Sequence, residues 1–97
     1  MKTLSEIAEI LQEKKELLRE KYKVKEIGVF GSYVRGEQKE SSDVDILVDF
    51  EKPVSLLKIV SLENYLSDLI GIKVEVVPKR DIRSELRESI LREAVLL

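Results

Sequence analysis

One run of eight residues limits the folds open to this chain more than any other part of its sequence. From Asp43 to Phe50, apolar residues alternate with a second set that is mostly acidic. A period of two is typical of a β-strand, because successive side chains point to opposite faces of a sheet. The run therefore predicts a strand with one core face and one carboxylate-bearing face. The apolar set is Val44, Ile46, Val48 and Phe50, and the other set is Asp43, Asp45, Leu47 and Asp49.

Two further strands and three helices are predicted by the same kind of pattern. Lys25 to Phe30 predicts a strand that stops at Gly31-Ser32, and Ile72 to Val77 predicts one that stops at Pro78. Apolar residues at helical spacing predict the helices. The first runs from Thr3, in a capping box, to about Lys21; the second opens at Pro53, buries Leu56, Ile59, Val60, Leu66 and Ile70, and closes at Gly71; the third runs from Asp81 to the chain end.

This order of elements predicts one domain over residues 1–97, of the α/β (α+β) class. Its core is expected to be a small mixed β-sheet of about three strands backed by helices. The apolar tail Ala94 to Leu97 has two interpretations. It packs on the first helix, or it offers an apolar edge to another subunit or a partner protein.

Composition excludes several classes of chemistry. The chain has no cysteine and no histidine, so disulfides, thiolate metal sites and imidazole bases are ruled out. Carboxylates, lysines, tyrosines and hydroxyls are left to carry any reaction. The net charge of −2 argues against sequence-independent binding of nucleic acid through its phosphates, and nothing in the sequence indicates base recognition. Because no apolar run approaches the length of a membrane span, no association with membranes is expected. The absence of cysteine makes the reducing cytoplasm the expected location.

The turn after the first strand has the features of a phosphate-binding site. Gly31 has no Cβ, so its backbone can approach a ligand closely. Ser32 is expected to cap a short helix from Tyr33 to Glu37, whose first amides would face an anion. Arg35 would lie on the same side. Arg35 either binds a triphosphate or forms a plain ion pair with Glu37, Asp43 or Asp49. Tyr33 either stacks on a base or, as we prefer, packs against the core.

Paired acids follow within one loop. Asp43 and Asp45 are expected to share a strand face about 6.5 Å apart, a spacing suited to bracketing Mg²⁺. Glu75 interrupts the apolar third strand, where a carboxylate is costly unless it is paired or binds metal. It is a candidate third acid. The alternative is that Lys73 and Glu75 both face solvent.

These residues together resemble a known family. Gly31-Ser32, ten intervening residues, and Asp43-Val44-Asp45 resemble the signature of the DNA polymerase β-type nucleotidyltransferase superfamily. More narrowly, Phe30 to Gly36 with Ser42 to Val48 is similar to the minimal nucleotidyltransferases, or MntA-like antitoxins. The resemblance implies that Asp43, Asp45 and the third acid, Glu75, are catalytic and hold two Mg²⁺ ions. It also implies that Gly31 and Ser32 contact the β and γ phosphates of ATP, beside which Arg35 stays a candidate nucleotide-binding residue on its position alone. The family commonly has aspartate where this chain has Glu75.

Three functions follow from the resemblance. The first is a magnesium-dependent enzyme that transfers AMP from ATP to a hydroxyl, expected to be a tyrosine, of a HEPN-type ribonuclease toxin encoded by an adjacent gene. The second is an antitoxin of the same fold that neutralises its toxin by binding alone, because Glu75 impairs catalysis. The third, a polymerase-like or small-molecule transferase, ranks last because 97 residues leave no room for an extra substrate-binding domain.

Overall fold

A computed structural model describes residues 2–97 and confirms the predicted mixed α/β architecture. One sheet contains β1 (Val24–Phe30), β2 (Val44–Phe50), β3 (Val74–Pro78) and β4 (Val95–Leu96), in the order β3-β2-β1-β4. β1 is antiparallel to both β2 and β4, whereas β2 and β3 are parallel. The helices are α1 (Leu4–Glu13), α2 (Lys15–Tyr22), α3 (Ser32–Arg35), α4 (Leu56–Ile70) and α5 (Ser84–Glu93), with a 3-10 turn at Lys79–Asp81. No helix among residues 2–97 is long and apolar enough to cross a membrane.

The two faces of the sheet differ as the alternation in β2 predicts. Val44, Ile46 and Val48 are fully buried in the main core, together with side chains from α1, α2 and α4. The opposite face carries Asp45 and a smaller apolar cluster around Leu47. That cluster is Phe30, Leu47 and Ile82, with Val77, Ile90 and Ala94 packed against it. The acidic residues therefore lie on the less covered face.

The segment predicted as the first helix forms two helices, α1 and α2. Its capping box is confirmed, since the Thr3 side chain accepts from the Glu6 amide and the Glu6 carboxylate accepts from the Thr3 amide. The single helix expected as far as Lys21 is wrong, because the chain breaks at Lys14. Residues 13–16 are Glu-Lys-Lys-Glu and none is buried, so no core contact holds the helix straight there.

The second predicted helix is confirmed at its end and corrected at its start. It begins at Leu56 rather than Pro53, after Ser55 accepts a hydrogen bond from the Lys58 amide. Gly71 ends it in the left-handed conformation, as predicted. Leu56 and Val60 are exposed at 75% and 41%, against prediction. The buried stripe is Leu62, Leu66 and Ile70, and at 100° per residue Leu56 and Val60 lie about 120° and 160° around the helix from Leu62.

The chain end departs most from prediction. The last helix stops at Glu93, and Val95 and Leu96 add a fourth strand to the free edge of β1. The Leu97 amide donates to the Ile27 carbonyl at 3.0 Å. Gly28 makes this pairing possible, because a Cβ there would lie 2.9 Å from both the Val95 oxygen and the Leu96 Cδ2. The tail therefore neither extends the helix nor simply packs on α1, and Val95 and Leu96 remain exposed.

Candidate active site

The turn between β1 and α3 is fixed by a buried aromatic ring. Tyr33 is 3% exposed and belongs to the main core, which confirms packing rather than base stacking. The predicted helix from Tyr33 to Glu37 is shorter and starts earlier, at Ser32–Arg35. Gly31 is its N-cap, and the Ser32 side chain makes no capping hydrogen bond. The Ser32 hydroxyl therefore does not cap the helix. The Val34 and Arg35 amides donate to the Gly31 carbonyl, which leaves the Ser32 and Tyr33 amides without a helical carbonyl partner.

Gly31 brings this turn into direct contact with the acidic strand. Its φ of +83° and ψ of −153° belong to a region that only glycine adopts readily. A Cβ on Gly31 would lie 2.2 Å from Asp45 Oδ2 and 3.2 Å from Asp45 Cγ. The carboxylate therefore occupies the space that any other residue's side chain would need. The predicted phosphate-binding turn, Gly31 to Arg35, is called the phosphate-type turn below. It lies next to the predicted metal-binding acid, Asp45, because residue 31 lacks a side chain.

The third predicted acid lies on the adjacent strand. The parallel register pairs the Cα atoms of Asp45 and Glu75, so both side chains project from the same face. Two side chains of α4 support β3 at this point: the Val74 amide donates to Ser67 Oγ at 2.9 Å and the Val76 amide to Glu63 Oε2 at 2.8 Å. Glu75 itself is exposed, as the alternative interpretation expects, yet it points to the side of the sheet that holds Asp45.

The loop before β2 sets the position of Asp43. The Lys39 amide donates to Ser42 Oγ at 2.8 Å, and the Ser42 amide donates to the Lys39 carbonyl at 2.9 Å. This hydrogen-bonded turn ends one residue before Asp43, which is half-buried and immediately precedes β2. The serine that precedes the first aspartate in the sequence motif therefore has a structural role.

The electrostatics of the acids favour a bound cation. Burial, followed by the charges of Glu75 and Asp43, raises the pKa of Asp45 from 3.8 to about 6. Within residues 2–97, no three acidic side chains converge closely enough to hold a metal ion without moving. Mg²⁺ commonly takes one or two carboxylates and completes its shell with substrate phosphates and water. Asp43 and Asp45, both oxygen donors beside a phosphate-type turn, fit that mode, and Glu75 would have to move closer to act as a third ligand.

The raised pKa predicts a stability effect in metal-free protein. Above pH 6 Asp45 is ionised in the folded state at a cost in folding free energy. This cost shrinks as the pH falls through 6, is small at about pH 4 and disappears below 3.8, where the carboxyl is protonated in the folded and the unfolded chain. We expect Asp45→Asn to increase the unfolding free energy by about 1–2 kcal/mol at pH 8, after a discount for solvent screening, and to change it little at pH 4. Urea melts with a chelator at both pH values measure this. A less stable variant at pH 8 would contradict it.

Arg35 is held by two carboxylates, one of which the sequence did not indicate. Its Nε donates to Glu37 Oε1 at 2.8 Å, which confirms one predicted ion pair, and its Nη1 donates to Glu93 Oε1 at 2.6 Å. The other oxygen of Glu93 accepts from the Gly31 amide at 3.2 Å. These bonds to Glu37 and Glu93 raise the pKa of Arg35 above its ordinary value. Glu93 could have been found only by pairing the apolar tail with β1, which the sequence did not suggest.

Relatives of this chain have been assigned an activity. A sequence profile of the nucleotidyltransferase domain family matches residues 5–97. The protein adenylyltransferase MntA of Thermococcus cleftensis is 57% identical over 95 residues, 98% of this chain and 96% of that protein. MJ1217 of Methanocaldococcus jannaschii, provisionally named a protein adenylyltransferase, is 63% identical over 84 residues, 87% of this chain and 86% of that protein.

Solved structures share the fold. One solved chain, provisionally assigned as a minimal nucleotidyltransferase, superposes with a TM-score of 0.76 at 36% identity. The superposition covers 96% of this chain and 90% of that chain. A chain from the complex of tri-AMPylated Shewanella oneidensis HEPN toxin with MNT antitoxin superposes with a TM-score of 0.69. It is 21% identical and covers 93% of this chain and 70% of that chain, so the likeness is one of fold.

Proposed function

The chain belongs to the nucleotidyltransferase domain family, and from this premise we propose that it transfers AMP from ATP to a tyrosine hydroxyl of a HEPN-type ribonuclease toxin. The observation that carries the proposal is the contact between Gly31 and Asp45, which joins a phosphate-type turn to the acidic strand. The names of the relatives support the reaction class. The AMPylated toxin in a fold neighbour supports the kind of acceptor.

In the proposed reaction, the hydroxyl oxygen of the acceptor attacks the α-phosphorus of ATP. A new oxygen–phosphorus bond forms, the bond from the α-phosphorus to the bridging oxygen breaks, and pyrophosphate leaves. The hydroxyl proton passes to a carboxylate, for which exposed Glu75 is the accessible group beside Asp45. When bound, Mg²⁺ ions would lower the pKa of the acceptor hydroxyl and neutralise charge on the departing pyrophosphate.

Each group of side chains has a separate task in this proposal. Asp43 and Asp45 hold Mg²⁺. Gly31 and Ser32 bind the terminal phosphates with backbone amides and the free hydroxyl. Arg35, which projects beside the Gly31 amide, adds a fixed positive charge. No imidazole is required, in agreement with a chain that has no histidine.

The role of Glu75 is tested by a neutral replacement. We expect Glu75→Gln to lower the rate of AMP transfer by about 100-fold, because it removes the proposed proton acceptor while preserving side-chain length. Lys73→Gln, on the same face of the chain just before β3, is the matched control and should leave the rate nearly unchanged. The rate is measured with radiolabelled ATP under single-turnover conditions. Equal rates for the wild type and Glu75→Gln would remove Glu75 from the mechanism.

One observation favours a second candidate function. Because no three acids converge among residues 2–97, and Glu75 stands where the family commonly has aspartate, the chain could neutralise its toxin by binding alone. Intact-mass spectrometry separates the two functions after the toxin, encoded by the neighbouring gene, is incubated with this protein, Mg²⁺ and ATP. A gain of one or more AMP masses on the toxin supports the enzyme. A stable complex with no gain in mass supports the binding antitoxin.

A further inference from the structure

A carboxylate from the end of the chain already occupies the donors of the phosphate-type turn. Glu93 accepts from the Gly31 amide with one oxygen, at 3.2 Å, and from Arg35 Nη1 with the other, at 2.6 Å. We propose that Glu93 is an internal substitute for the terminal phosphates of the nucleotide, which must displace it in order to bind. This inference rests on the function proposed above, because it assumes that a triphosphate uses the same donors.

The geometry explains why this carboxylate mimics a phosphate. Two donors from different groups, a backbone amide and a guanidinium, converge on the two oxygens of one oxyanion. A phosphate presents oxygens with the same charge and the same acceptor role, and charge-assisted bonds of this kind are the strong ones. The Glu93 side chain is only 21% exposed, so it lies in the site rather than in solvent.

The pairing of the chain end with β1 holds the backbone of Glu93 in place. α5 ends at Glu93, and two residues later β4 pairs with β1 beside Gly28, three residues before Gly31. The anchor of Glu93 is therefore the same strand that positions the turn. Its side chain can rotate away while its backbone stays attached, so displacement does not require the sheet to open.

Competition of this kind has a specific consequence. Ligands that need the Gly31 amide and Arg35 must first displace Glu93, whereas a nucleoside monophosphate, which lacks the terminal phosphates, need not. The internal carboxylate should therefore weaken the binding of triphosphates and leave that of AMP unchanged. It also keeps other anions out of the turn when no nucleotide is bound, since it presents a negative charge to them.

The test is the affinity of Glu93→Gln for inorganic tripolyphosphate, Mg²⁺-ATP and AMP, measured by titration calorimetry. The substitution removes the charge and keeps the shape, and we expect it to bind tripolyphosphate and ATP about tenfold more tightly, with AMP unchanged. Glu37→Gln is the matched control. Glu37 also pairs with Arg35, at 2.8 Å, but it makes no bond to Gly31, so its change should be less than about twofold.

A second measurement reports the donor directly. In wild-type protein without ligand, the amide resonance of Gly31 should differ from that in Glu93→Gln, and saturating tripolyphosphate should make the two resonances converge. Wild-type binding of tripolyphosphate that Glu93→Gln leaves unchanged or weakens would overturn the inference and make Glu93 a positioning residue for Arg35. If neither protein binds tripolyphosphate or ATP, both this inference and the proposed nucleotide site are wrong.

Discussion

Replacing Asp43 and Asp45 together with asparagine is expected to lower AMP transfer by about a thousandfold or more, while the protein stays folded. Both proposed Mg²⁺ ligands lose their charge, and metal ions supply several kcal/mol of transition-state stabilisation in reactions of this type. The fold should survive because neither residue belongs to the buried core and because ionised Asp45 is already disfavoured by its surroundings. Intact-mass spectrometry of the toxin measures transfer, and a thermal melt verifies folding.

The matched control for this double variant is Asp49→Asn. Asp49 lies on the same strand and the same face, but about 20 Å along the strand from Asp43 and about 13 Å from Asp45. Its replacement therefore removes a similar charge outside the site. Its transfer rate should remain close to wild type. The double variant should also still form a complex with the toxin in size-exclusion chromatography. Detectable AMP transfer at the wild-type rate by the double variant would show that these acids are not the metal ligands.

The parts of the fold predicted correctly from the sequence are those that local patterns determine. The alternation in β2 predicted its end at Phe50, its start to within one residue and its buried face, because the period of a strand assigns each side chain to one side. Capping residues gave the start of α1 and the end of α4 in the same way. The turn at Gly31 was predicted for the right reason, since the absence of Cβ is what permits close approach.

The features of the fold that were not predicted depend mainly on contacts between residues distant in sequence. The pairing of Val95 with β1 requires an open edge beside Gly28, and nothing in the local pattern of the tail separates a short strand from the end of a helix. The contact of Glu93 with Gly31 joins positions 62 residues apart, so it was missed for the same reason. The predicted burial of Leu56 and Val60 was wrong for a different reason. Apolar residues lie around most of the circumference of α4, and only one stripe of them packs against the sheet.

Gly31→Ala is expected to lower the rate of AMP transfer by about 100-fold or more. A side chain at residue 31 faces two separate obstacles. The backbone conformation, with φ at +83°, is strained for any residue with a Cβ, and the new methyl would lie 2.2 Å from Asp45 Oδ2. Since the buried turn cannot retreat far from the strand, Asp45 must move, and displacement of a metal ligand by about 1 Å is enough to cause such a loss. Single-turnover transfer to the toxin measures it.

Gly71→Ala separates the two obstacles. Gly71 also has a positive φ, +81°, but apart from its immediate chain neighbours no residue has an atom within 4 Å of the position that its Cβ would take. This variant should lose about 1 kcal/mol of stability through backbone strain and keep its rate per folded molecule. Gly31→Ala should lose activity even under conditions where melts show both variants fully folded. If the two variants instead lose activity in proportion to their stability, the clash with Asp45 is not the cause, and the contact between the turn and the acidic strand has no catalytic role.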